Sequence, residues 1–179
     1  SLMAVCVTAH AGFELSGLPQ WRFLADLPLA VAALHHSYVW QFRRSFHARL
    51  LAMLHIAFLW LGIGMGLYAA QSLMLFATGT DYLGRAPLHA LGIGFLTSMI
   101  VAMASRVTLG HSGRALSADT LTWAVLLGVN ASAVLRIAGE FVPQVASWLN
   151  LLAALVWLAA LLPWVARYLP MYLQPRAGH

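Results

Sequence analysis

The chain has no lysine, five acidic residues and a single cysteine. Charged residues fill 8% of its 179 positions and hydrophobic residues 61%, whereas a soluble domain is ~25% charged and ~45–50% apolar. That balance excludes an ordinary water-soluble fold and makes the chain an integral membrane protein. A lone cysteine, Cys6, excludes an internal disulfide. No charged segment with a cleavage site precedes the first apolar run, so no cleaved signal is expected. Internal repeats and low-complexity tracts are also lacking. The net charge of +5 comes from arginines alone, and these sit at the ends of apolar runs rather than in one patch, which excludes nucleic acid as a partner.

Hydropathy predicts an all-α polytopic membrane helix bundle, one transmembrane region over 1–179 with about six helices of ~20 residues. The spans are 1–18, 23–42, 48–70, 87–106, 118–139 and 144–168, with Pro28 inside the second. Ser72 to Arg85 is the longest predicted loop. Arg43, Arg44, Arg49, Arg106, Arg114, Arg167 and Arg176 fall on one side, and Arg22, Arg85 and Arg136 on the other. The excess of arginine in cytoplasmic loops then predicts that the C-terminus and the His111 loop are cytoplasmic. Glu14, Asp26, Asp81 and Glu140 lie on the opposite side.

The segment Pro87 to Arg114 organises the rest. Pro87 suits a first helical turn. Ala86, Ala90, Gly94, Ser98 and Ala102 recur at every fourth position, predicting a face of small side chains that meets another helix. The segment closes on Arg106 and Gly110-His111-Ser112-Gly113-Arg114. With its histidine before alanine (His89-Ala90), its glycines and its methionines, this stretch resembles the signature of the NnrS family. The resemblance implies a bacterial inner-membrane, multi-pass protein that contains haem b and copper and is linked to nitric oxide and nitrosative stress. Nitric oxide or its iron complexes become expected partners, with the lipid bilayer. Family members are about twice as long, so the chain is expected to be the C-terminal half of a larger bundle that also needs the N-terminal half. Ser112 stands where threonine is common in the family and keeps the hydroxyl.

Histidines within apolar spans usually face the bundle interior, which singles out His10, His35, His36 and His55. Counted from the flanking Arg43 and His47, His35 and His55 both lie ~12 Å below the boundary. Antiparallel neighbours would bring them level, as bis-histidine ligation of haem requires. His36 points ~100° away from His35, so only one of the two addresses a given partner. His55 shares its face with Gly62 and Gly66. The alternative role for each is a hydrogen bond to a neighbouring helix. His10 shares a face with Met3, Cys6 and Gly17, a soft set that suits copper or plain packing; Met99 and Met103, one turn apart, read the same way.

From the resemblance, His89 becomes a haem or copper ligand, with an interfacial histidine as the alternative. Arg106, His111 and Arg114 can hold haem propionates or another anion, or simply anchor the topology. Arg136 and Glu140 read as an ion pair, and Asn130 as a hydrogen bond across helices. Three functions remain open: a haem- and copper-containing protein acting on nitric oxide, by turnover or by binding, a multipass transporter or pore using the histidines for substrate or protons, and a structural subunit.

Overall fold

A computed structural model describes residues 2–172. Six helices follow in order: α1 (Leu2–Leu15), α2 (Phe23–Val39), α3 (Arg49–Thr78), α4 (Ala86–His111), α5 (Thr120–Phe141) and α6 (Ala146–Tyr168). Single turns at Pro19–Trp21, Phe42–Ser45 and Pro143–Val145 join them, and no strand occurs among the described residues. The expected all-α membrane bundle is present. Four helical runs are long and apolar enough to cross a membrane: α3, α4, α5 and the run Pro143–Tyr172 that contains α6.

Four boundaries differ from those predicted. α1 and α2 have 14 and 17 residues, shorter than the ~20 assumed for a span. Pro19 disfavours helical backbone at Leu18 before it, and Leu18 leaves the helix with φ −115° and ψ 52°. α3 runs 30 residues to Thr78 because Leu73 to Ala77 are still helix-forming, so the predicted Ser72–Arg85 loop shrinks to 79–85. α4 continues past Arg106 to His111, since an exposed arginine can carry its charge out along its own stem. The chain then stops at Gly113, whose φ of +72° lets the Arg114 N–H bond the Leu109 carbonyl at 3.0 Å, a glycine-dependent helix end.

Each helix packs on the next in sequence. Glycines set the closest approaches. Gly62 lies against Leu34 and Gly66 against Ala30 between α3 and α2, Gly64 against Leu91 between α3 and α4, and Gly128 against Ala160 between α5 and α6. One apolar core gathers Met53, Val101, Leu126 and Tyr168 from α3 to α6. A smaller one joins Cys6, Leu29, Ala30 and Met65 from α1 to α3, with Met3 at its edge.

The small-residue face of α4 is interior: Ala86, Ala90, Gly94, Ser98 and Ala102 are all buried. A strict α-helix drifts by ~40° for each four-residue step, because 3.6 residues complete a turn. Five such residues would spiral away from a single neighbour. Ala90–Thr97 is instead a π-helical stretch, with i→i+5 bonds and a wider turn, so its drift runs the other way and the stripe stays on one face. Thr97 donates its hydroxyl to the Gly92 carbonyl at 3.0 Å within that stretch.

Candidate functional site

Two histidines are held by an acceptor of this chain. In α1, His10 Nδ1 lies 2.6 Å from the Asp26 carboxylate of α2, whose side chain is fully buried. In α2, His36 Nδ1 lies 2.7 Å from the Ala32 carbonyl. A carbonyl can only accept, so His36 Nδ1 carries the proton of its bond, while His10 Nδ1 is engaged by the Asp26 carboxyl. With Nδ1 engaged, Nε2 is the ring nitrogen that either histidine can offer to a metal, and a metal-binding histidine needs its other nitrogen held in this way. His10 also meets Tyr68 edge-on at 5.2 Å, and His36 meets Trp40 at 5.3 Å.

A polar cluster surrounds the His10–Asp26 pair. Arg22, almost wholly buried, pairs with Glu14, donates to Gln71 Oε1 at 3.2 Å and lies 5.0 Å from the Tyr68 ring centroid. Gln71 in turn donates to the Asp81 carboxylate at 2.9 Å and to the Gly84 carbonyl at 2.7 Å. The cluster therefore stitches α1, α2, α3 and the 79–85 connection together at one end of the bundle. One atom stays unsatisfied: Asp26 Oδ2 is buried without a hydrogen-bond partner.

His89, buried at the start of α4, lies 3.4 Å from Glu140 of α5. Glu140 also accepts the Arg85 N–H at 3.1 Å, placing a negative charge at the positive end of α4. Gly84, at φ +50°, makes room for this carboxylate, which contacts the place a Cβ would occupy. Glu140 thus spans to α4, and the predicted Arg136–Glu140 ion pair is not formed among the described residues. The carboxylate is nearer to an exposed helix start than to a guanidinium on its own helix.

The predicted level pairing of His55 with His35 or His36 does not form. The Gly62–Leu34 and Gly66–Ala30 contacts put His35 level with Leu61 on antiparallel α3, six residues and ~9 Å from His55. His55 instead faces the turn beyond α2, with Phe42 at 6.4 Å. Counting both histidines from the loop assumed that α2 reached Arg43, whereas it ends at Val39. His35 is exposed, with the His36 ring at 6.2 Å.

Met3 and Cys6 pack beside Met65 and Tyr68 in the small core, and Gly17 lies beyond the end of α1. No group of three or more His, Cys, Asp or Glu side chains converges as a metal cage among the described residues. At the other end, Arg106 and His111 line one groove of about 540 Å³ with Leu54 and Met103. Arg114 follows the Gly113 turn and is half-buried. Arg176 lies outside the described residues.

Asn130 bonds across helices as expected: it accepts from Trp60 Nε1 of α3 and donates to Ser98 of α4 at 3.2 Å. Asp26, Gln71 and Asp81 were the partners not foreseen in sequence. The signal available was that an acidic residue inside an apolar segment must find a buried partner.

No curated protein and no solved structure matches the chain. The family model described as NnrS protein matches residues 1–176. Taken with the apolar helices and the interior small-residue face of α4, that match over nearly the whole chain places this membrane protein in the NnrS family.

Proposed function

We propose that this chain is the haem- and copper-binding part of an inner-membrane protein that acts on nitric oxide or protects against nitrosative stress. The observation that carries the reading is the pair of histidines in the apolar helices α1 and α2, His10 and His36, each with Nδ1 engaged by this chain and Nε2 as the nitrogen it can offer a metal. In this reading His36 is an axial ligand to haem b and His10 a ligand to copper. His55 and His89 are further ligands, and His35 stands behind His36. Arg106, His111 and Arg114 face the propionate edge or an anion. When bound, haem and copper would supply one-electron redox chemistry toward nitric oxide; this chain's residues fix ring orientation and hold buried charge. The remaining ligands would come from elsewhere in the protein or from a partner.

The transporter alternative draws support from the Glu14–Arg22–Gln71–Asp81 cluster, in which Arg22 and Gln71 are buried, but the glycines at 62–66, its candidate for an unwound segment, lie in the uninterrupted α3. A reduced-minus-oxidised spectrum with metal analysis of the purified full-length protein separates the two. Haem bands with bound copper are expected, and finding neither overturns the proposal. In this reading the C-terminus and the His111 loop face the cytoplasm, since six described arginines crowd that end against one acid, Asp119.

A further inference from the structure

A groove of about 450 Å³ lies between α4, α5 and α6, and the guanidinium-bearing Arg136 is the one charged residue in its wall. Arg136 is half-buried and has no ion pair or hydrogen bond among the described residues. Its nearest same-helix acid, Glu140, is committed to the Arg85 N–H and to His89. Arg136 sits five residues before the end of α5, ~7.5 Å inside it. An unpaired arginine at that depth is costly and calls for an anion. Two further features belong to the same groove. Asn150 lines it, its unpartnered Oδ1 buried against Gly139 of α5, and Ile93 and Thr97 come from the π-helical stretch of α4, a distortion that often marks functional positions.

The rest of the wall is Ala154, Trp157 and Leu158 of α6 with Ile93, and Ser132, whose hydroxyl is spent on the Ala153 carbonyl at 2.9 Å. A small inorganic anion would leave this apolar surface bare, while a neutral apolar molecule would leave the charge unmet. The volume falls in the range of sites for organic ligands, which combine an apolar lining with a few polar anchors. We propose that this groove binds an amphiphile with an ionised carboxylate, the carboxylate on the Arg136 guanidinium and the apolar body along Ile93, Ala154, Trp157 and Leu158. A membrane fatty acid and a porphyrin propionate share this chemistry.

The test uses the full-length protein in nanodiscs of zwitterionic lipid, titrated with dansyl-labelled undecanoic acid and with its methyl ester. The acid should bind saturably and the ester at least about tenfold more weakly, the loss expected when a charge-assisted hydrogen bond goes. Arg136→Gln should weaken the acid by a similar factor, Arg136→Lys should recover part of it, and Ala154→Phe should weaken it by filling the apolar end. Unchanged thermal melting shows that the variants are folded. A fall in porphyrin content in Arg136→Gln assigns the carboxylate to a cofactor, and an unchanged content assigns it to a free acid. Equal binding of acid and ester, or equal binding by the parent and Arg136→Gln, overturns the proposal and leaves Arg136 reaching for the interface.

Discussion

Gly94 admits the Trp60 indole because it has no side chain; a Cβ there would run into the ring. Trp60 is held in place by its bond to Asn130, so it has little freedom to yield. Gly94→Leu should therefore lower detergent melting stability by ~1–3 kcal/mol or more, as overpacking does. Leu96→Ala, at a position 54% exposed, should cost clearly less, and equal small losses would place Gly94 against lipid. Asp119 caps α5, accepting the Thr122 N–H at 2.9 Å and pairing with Arg167 at 2.6 Å. Burial raises its pKa, but the Thr122 backbone and hydroxyl bonds and the Arg167 charge more than offset it, so the carboxyl is held below its ordinary value. A depressed carboxyl stabilises above its unfolded pKa, and that contribution fades as pH falls through the folded one. Asp119→Ala should cost ~1 kcal/mol, as loss of an N-cap does, and melting curves should show the difference from the parent shrinking only below the usual carboxylate range.

At the scale of the helices, the small-residue stripe was legible in sequence, yet the π-helical turn that keeps it straight was not read from it. The clue was present: five small residues at a strict spacing of four do not stay on one face of an α-helix. Helix ends were less legible. Arg106 reads as an end although its side chain can reach out from an exposed face, and the predicted second span runs to Phe42 although α2 ends at Val39. The second of these carries into the site, because the depth of His35 is counted from Arg43, beyond the true end of α2. Asn130 was legible, since an amide in a span has few alternatives to bonding across helices. Trp60→Phe removes its α3 partner and should cost ~0.6 kcal/mol, the typical worth of an interhelical hydrogen bond in a membrane. A double-mutant cycle with Asn130→Ala measures the coupling, and zero coupling would show that the two side chains do not bond.

For the molecule as a whole, composition alone identified a membrane helix bundle, because 61% hydrophobic residues leave no soluble alternative. The partners of the histidines were not legible, since His10–Asp26 and His89–Glu140 join residues far apart in sequence through helix packing. Arginine placement carries the orientation: a cytoplasm-dependent fluorescent reporter fused after Tyr172 should be bright, and alkaline phosphatase activity at that point would reverse it. The central claim is that His36 and His10 present Nε2 to metal. Its most direct test is the haem and copper content, with the haem absorption bands, of the full-length protein carrying His36→Ala or His10→Ala, beside His47→Ala at a loop end. The account predicts that His36→Ala loses haem or its six-coordinate low-spin bands, that His10→Ala loses copper, and that His47→Ala changes neither. Parental contents and band positions in both His36→Ala and His10→Ala would contradict it.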